Sequence, residues 1–171
     1  ILRCLVGSEM CIRDSALDHL NFDQEIKVIV FAGRGKVFCA GADLNWMKKM
    51  VNYSEKENYD DALNLAKMLN KIYMSKKPTV ARVHGHAFAG GMGLVCACDI
   101  AVANIEAEFC LSEVKIGLIP STISPYVIRS LSPRASSRYM ITAEKFSAAE
   151  AYRLGMLHEI CIPDKLDEKI Y

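Results

Sequence analysis

The sequence predicts an α/β fold with a largely parallel sheet. Three observations carry that expectation. Short apolar runs recur at 26–33, 79–85 and 157–163, each ending on glycine or proline, as strands do. Segments of helical periodicity lie between them, the longest at 54–75. The links are short, and a strand–helix–strand order returns each strand parallel to the last. At 171 residues, with 51% hydrophobic and 24% charged residues, the chain reads as one globular domain or a piece of one. A net charge of +1 offers no footing for nucleic acid or an anionic membrane. No apolar run approaches the ~20 residues of a membrane-spanning helix.

Taken in order, residues 1–15, "ILRCLVGSEMCIRDS", match neither a signal peptide nor the pattern that follows. They resemble translated sequencing-adapter read-through, which places the domain at 16–171. "IKVIVFAG" (26–33) reads as a strand, and the chain then turns on Gly35 and Gly41 and becomes helical near Leu44. Residues 54–75 form an amphipathic helix, with Ser54 and Glu57 at capping-box spacing. "TVARVHG" (79–85) is a second strand, followed by the glycine-rich turn "GHAFAGGMGL" (85–94). "GLVCACDIAVAN" (93–104) reads as a buried helix passing into a third strand around Asp99, which ends the helix or holds a turn. "AEFCLSEVKIGLIPS" (107–121) reads as strand, turn and loop. Ser132-Pro133 opens one later helix, Ser147 with Glu150 caps another, and "LHEICIP" (157–163) is the last strand.

Seven cysteines sit mostly in apolar runs, an odd number, and Cys96-x-Cys98 has no second ligand pair at zinc spacing. They read as reduced core residues of a cytoplasmic protein, with no metal. Two stretches invite chemistry. "FCAGADL" (38–44) and "AFAGGMG" (87–93) each join a strand to a helix through small residues, which presents backbone N–H groups at a helix start. Two such turns can meet at the carboxyl ends of parallel strands, where ligands bind. Each N–H aimed at a developing oxyanion contributes about 3 kcal/mol. On spacing alone, glycines that only permit close packing explain either turn as well. His84 and His86, beside the second turn, read as capping or packing residues rather than bases.

The order of "KVFCAGADL", "KPTVARVHGHAFAGGMGLVCACDIAVAN" and "AEFCLSEVKIGLIPS" resembles the enoyl-CoA hydratase/isomerase (crotonase) family over essentially all of 16–171. The resemblance implies a crotonase-type spiral of ββα units, truncated at both ends so that the first strand and the C-terminal helices are missing. It implies an oxyanion hole from the amides of Ala42 and Gly90, and an acid/base at Glu113. Ala40 and Leu44 match positions lining the CoA adenine pocket, and Asp43 and Gly91 fall among the substrate-binding positions. Asn45 stands where a Lys or Arg is frequent. Trp46, Met47, Met50 and Tyr53 either wall the acyl pocket or pack as ordinary helix residues. Gly93 stands where the family's first glutamate would be, which leaves Glu113 as the one carboxylate. One base suffices to shift a double bond, whereas adding water also needs a group to orient it. Ser121, Thr122 and Ser124 are candidates for that task.

"GADLNWMKKM" and "IPSTISPYVIRSLSPRASSRYMITAEKFSAAEAYRLGMLHEI" resemble the bacterial methylglutaconyl-CoA hydratases of leucine breakdown, or their isoprenoid-degrading relatives. That implies a branched, acidic enoyl-CoA substrate, with Arg129, Arg134 or Lys115 available to its distal carboxylate. No cofactor is implied beyond the coenzyme A of the substrate, and family members assemble as trimers or hexamers. The rival readings are an enoyl-CoA isomerase using one glutamate and a non-catalytic CoA- or RNA-binding relative.

Overall fold

The computed structural model describes residues 7–171, with side chains from Ser15 onward, Leu44 excepted. Its organising feature is a spiral of three turns. Each turn sends one strand into a parallel sheet and the next segment into a second, smaller layer, and a last strand completes the sheet at four. The strands of the large sheet are β1 (Ile29–Ala32), β2 (Thr79–Val83), β4 (Ile100–Asn104) and β7 (Glu159–Cys161), in the order β1-β2-β4-β7. Val30 pairs with Val80, Ala81 with Ala101 and Ala103 with Ile160. β2 is buried at four of its five residues, as expected of a parallel sheet covered on both faces.

The second layer joins β3 (Ala87–Phe88), β5 (Glu108–Cys110) and β6 (Phe146–Ser147), β3·β5 parallel and β5·β6 antiparallel. Cys39 extends it as a parallel bridge to Ala87. The sequence reading has a turn where β3 lies, and no strand at β6. Two-residue strands have no periodicity to detect, and their partners come from far along the chain.

From Leu44 onward the helices follow the expected order, and one helix that the sequence reading does not contain precedes them. α1 (Gly7–Phe22) leads in, so the domain boundary expected between residues 15 and 16 falls inside a helix; residues 1–6 of the expected read-through segment lie outside the described residues. α1 docks on α3 through buried Leu17 and a Lys71–Asp18 ion pair of 2.8 Å. α2 (Leu44–Met50) is capped by Asp43, whose carboxylate accepts from the Asn45 and Trp46 amides. α3 (Glu55–Tyr73) carries the full capping box: Ser54 Oγ accepts from the Glu57 amide, and Glu57 accepts from the Ser54 amide at 2.8 Å. Its inward stripe is Met68, Leu69 and Ile72.

α4 (Gly90–Ala97) is buried from Gly91 onward, which is why its sequence carries no polar face. Asp99, just beyond it, accepts from the amide and hydroxyl of Thr79 and so ties the start of β2 to the start of β4. After β5 come a 3-10 turn (Glu113–Ile116), α5 (Ser124–Leu131), α6 (Pro133–Thr142), α7 (Ala148–Arg153) and α8 (Leu166–Ile170). Ser132 makes no side-chain cap; it adopts φ +72° between α5 and α6, and Pro133 begins α6 with its φ already set. Ser147 caps α7 through the Glu150 amide as expected.

Candidate active site

The register of the small layer assembles the site. Cys39 pairs with Ala87, and Ala87 with Phe109, so three chains run side by side. Three residues after Cys39 is Ala42; three after Ala87 is Gly90; four after Phe109 is Glu113. Neighbouring strands lie about 4.8 Å apart, so the three loops leave one edge together. The two glycine turns and the one carboxylate, 71 residues apart in sequence from Ala42 to Glu113, become neighbours by pairing alone.

The turns touch. Gly41 has φ +94°, and a Cβ there would lie 3.1 Å from Ala89 Cβ and 3.8 Å from the Gly90 nitrogen. Ala89 itself holds φ +47°, a strained setting for alanine, fixed by its amide bonding to Cys110 O at 2.8 Å and its carbonyl accepting from Met92. That setting starts α4 at Gly90 and leaves the first amide of the helix unused. The amides of Ala42 and Gly90 have no hydrogen-bond partner among the described residues. Gly91 sits directly behind, fully buried, where a Cβ would come within 2.5 Å of Cys39 O. Its lack of a side chain lets α4 dock on the first turn, so it serves the site through backbone packing.

Glu113 opens the 3-10 turn and is half-buried. Its Oε2 is shut off from solvent and has no partner among the described residues. Burial pushes its carboxyl above the ordinary carboxylate range, opposed only by a bond to its own backbone amide. A desolvated carboxyl with one oxygen unpartnered, on a loop that leaves the same edge as two uncommitted amides, can hold or release a proton next to a developing oxyanion.

The other expected residues divide. Ala40 is exposed at the mouth of the first turn. Asp43 is committed as the α2 cap, its Oδ1 2.7 Å from the Asn45 amide and 3.0 Å from that of Trp46. Trp46 is half-buried on α2; the side chain of Leu44 lies outside the described residues. Ser124 Oγ donates to Ser121 O at 3.0 Å, whereas the Thr122 hydroxyl is uncommitted among the described residues. Arg129 donates to Cys96 O at 3.0 Å and Cys98 O at 3.4 Å and lies over the Tyr73 ring, so it binds the end of α4 to α3. Arg134 lines a surface groove with Arg138, Glu150 and Arg153, and Lys115 is exposed beside Glu113 in the 3-10 turn.

The histidines pack, in line with expectation. His84 Nε2 lies 3.0 Å from Gly35 O, which puts its proton there and leaves Nδ1 buried without a partner among the described residues. His86 Nδ1 accepts from the Glu108 amide, and its ring stacks on Phe88. Burial pushes the Cys96 thiol up to about 12 and raises Cys98 as well, so both are inert core residues.

One residue escaped the sequence reading. Ile123 fills the space in front of Gly93, with its Cγ2 2.2 Å from where a Cβ at 93 would stand. Nothing in "STISP" announces this, because the contact joins the start of α5 to the middle of α4.

Comparison with known proteins identifies the family. The enoyl-CoA hydratase/isomerase family profile matches residues 8–171. The chain is 32% identical over 164 residues to the mitochondrial enoyl-CoA hydratase of Pongo abelii, covering 91% of this chain and 55% of that protein. It is 29% identical over 156 residues to a peroxisomal Delta(3,5)-Delta(2,4)-dienoyl-CoA isomerase of Arabidopsis thaliana, covering 85% of this chain and 56% of that protein. The crystal structure of an enoyl-CoA hydratase from Shewanella pealeana superposes with a TM-score of 0.93 at 42% identity, covering 97% of this chain and 62% of that one. The chain thus spans less than two thirds of the length of these proteins. The family match takes in both glycine turns and the Glu113 loop, and the chain belongs to the enoyl-CoA hydratase/isomerase family.

Proposed function

We propose that the protein hydrates a branched enoyl-CoA such as 3-methylglutaconyl-CoA through a thioester enolate. One observation carries the reading: Glu113, whose Oε2 is buried and without a partner among the described residues, leaves the same edge of the small layer as the unpartnered amides of Ala42 and Gly90. The thioester oxygen accepts from these two amides. Ionised Glu113 takes a proton from water as the water oxygen bonds to Cβ, and the double-bond electrons move onto the thioester oxygen as an enolate. Protonated Glu113 then returns the proton to Cα, so one water is added across the double bond. Thr122, with its free hydroxyl, is the candidate to orient the water, while Ser124 is committed elsewhere. Arg129 is bound to α4, which leaves Lys115 and Arg134 as the cations for a distal carboxylate.

A specific observation supports a second reading. Position 93 carries no side chain and Ile123 fills its space, so α4 supplies no second acid there. Double-bond isomerisation needs only one base: Glu113 removes a proton from Cα and returns it at Cγ of the dienolate. An oligomeric assembly with the acyl-CoA thioester as sole small-molecule partner fits both readings.

The test follows loss of the conjugated thioester absorbance of 3-methylglutaconyl-CoA in water labelled with heavy oxygen. A labelled hydroxyacyl product that falls at least ~100-fold in Glu113→Gln supports the hydratase. A shifted double bond without label selects the isomerase. Full turnover in Glu113→Gln overturns both.

A further inference from the structure

Gly93 lies one turn along α4 from Gly90, on the same helix face and about 4.5 Å further along the axis. A side chain there would point toward the space beside the Gly90 amide. No room exists for one. A Cβ at Gly93 would lie 2.2 Å from Ile123 Cγ2, 2.7 Å from Ile123 Cβ and 3.7 Å from Ile123 Cδ1. Ile123 is not free to withdraw. It is 2% exposed and belongs to the main core. Its amide bonds to Pro120 O at 3.2 Å, and its carbonyl accepts from Tyr126 and Val127 at 3.1 Å each. The branch at Cβ holds one preferred rotamer, so the conflict cannot be relieved by a small rotation.

We propose that Ile123 is a specificity-determining residue: its side chain fills the slot beside Gly90, keeps position 93 free of any side chain, and closes the acyl site on that side. The inference rests on the acyl-thioester reading above. It adds that the size of branch accepted next to the thioester is set by the residue that caps α5 rather than by α4. Ile123→Ala opens a space of about three methyl-sized groups there and admits a bulkier β-substituent.

Two measurements test it. The first is thermal unfolding of Gly93→Ala, Ile123→Ala and the double variant, which needs no activity. Gly93→Ala is expected to lower the midpoint by ~5 °C although alanine favours helix, and to cost measurably less in the Ile123→Ala background, where the 2.2 Å contact is gone and only the 2.7 Å contact with the remaining Cβ is left. A Gly93→Ala chain as stable as the parent overturns the proposal. The second is the ratio of kcat/KM for a β-ethyl-branched over a β-methyl-branched enoyl-CoA. Ile123→Ala is expected to raise it about tenfold, the scale of one or two methylenes in a pocket, chiefly through KM. An unchanged ratio overturns the proposal even if the unfolding data show coupling, since Ile123 would then be packing alone. If Ile123→Ala does not fold, Ile123→Val removes only Cδ1 and shifts the ratio the same way by less; no shift there counts against the proposal. A parent protein that neither binds nor turns over any enoyl-CoA overturns the thioester reading and the specificity role with it, while the unfolding series still reports the packing separately.

Discussion

Replacing Gly41 by alanine forces the two glycine turns apart, and Gly35 supplies a matched control. Both residues hold a left-handed backbone, φ +94° at Gly41 and φ +91° at Gly35. An alanine in either pays the same strain, roughly 1–2 kcal/mol. Around Gly35 nothing lies within 4 Å of the new Cβ. At Gly41 the Cβ meets Ala89 Cβ at 3.1 Å and Phe88 O at 3.3 Å, neither of which can rotate away. That crowding adds about 1 kcal/mol. In a chain of this size each kcal/mol lowers the unfolding midpoint by roughly 2–4 °C. Gly35→Ala is therefore expected to lose about 3–6 °C, and Gly41→Ala a further ~3 °C. Turnover separates them more sharply. The Gly41 contact lies between the Ala42 and Gly90 amides, and a hole donor moved out of line costs up to 10²–10³-fold. Gly41→Ala should lose about 10–100-fold in kcat, with Gly35→Ala within about twofold of the parent. Unfolding followed by circular dichroism and initial rates with an enoyl-CoA give both readouts. Equal loss of turnover in the two variants, or full turnover in a destabilised Gly41→Ala, would refute the claim that these turns build the oxyanion site.

Three further outcomes follow from the same geometry. Because burial raises the Glu113 carboxyl, its ionisation opposes folding: its effect is nil below the ordinary carboxylate range, destabilises as pH rises toward the raised native value, and is constant above it. Glu113→Gln should therefore unfold at a higher temperature than the parent at neutral pH and at a similar one at low pH; a variant less stable than the parent at neutral pH contradicts this. Arg129→Met removes two bonds to the last carbonyls of α4 and the stacking on Tyr73, at a cost of about 1–3 kcal/mol. The preference for acidic over neutral acyl groups should be unchanged, and a collapse of that preference would make Arg129 a substrate cation. Cys96 and Cys98, buried and with raised thiols, should resist alkylation in the native chain and react only on unfolding, as mass spectrometry of labelled peptides would report.

Much of the framework was legible in the residues themselves. β-branched runs between polar and glycine-rich neighbours marked β1, β2 and β7, the Ser54–Glu57 spacing marked the start of α3, and the unbroken apolar sequence of α4 marked its burial. These signals are local: a cap, a period or a turn is written within a few residues. The small layer also brings to one edge the loops that carry Ala42, Gly90 and Glu113, the positions that the family resemblance singles out. Local sequence could not reveal β3, β6 or the bridge at Cys39, because two-residue strands exist only through partners supplied by distant turns of the spiral. Nor could it tell that Arg129 serves the end of α4, or that Asp43 is spent as a cap. The sharpest case is Gly93. By itself the sequence determined that no carboxylate stands there; only the tertiary structure decided that none could be added, because Ile123, thirty residues on, already occupies the volume a side chain would need. Close packing makes that volume exclusive, and packing between distant segments is the property that a one-dimensional pattern carries least.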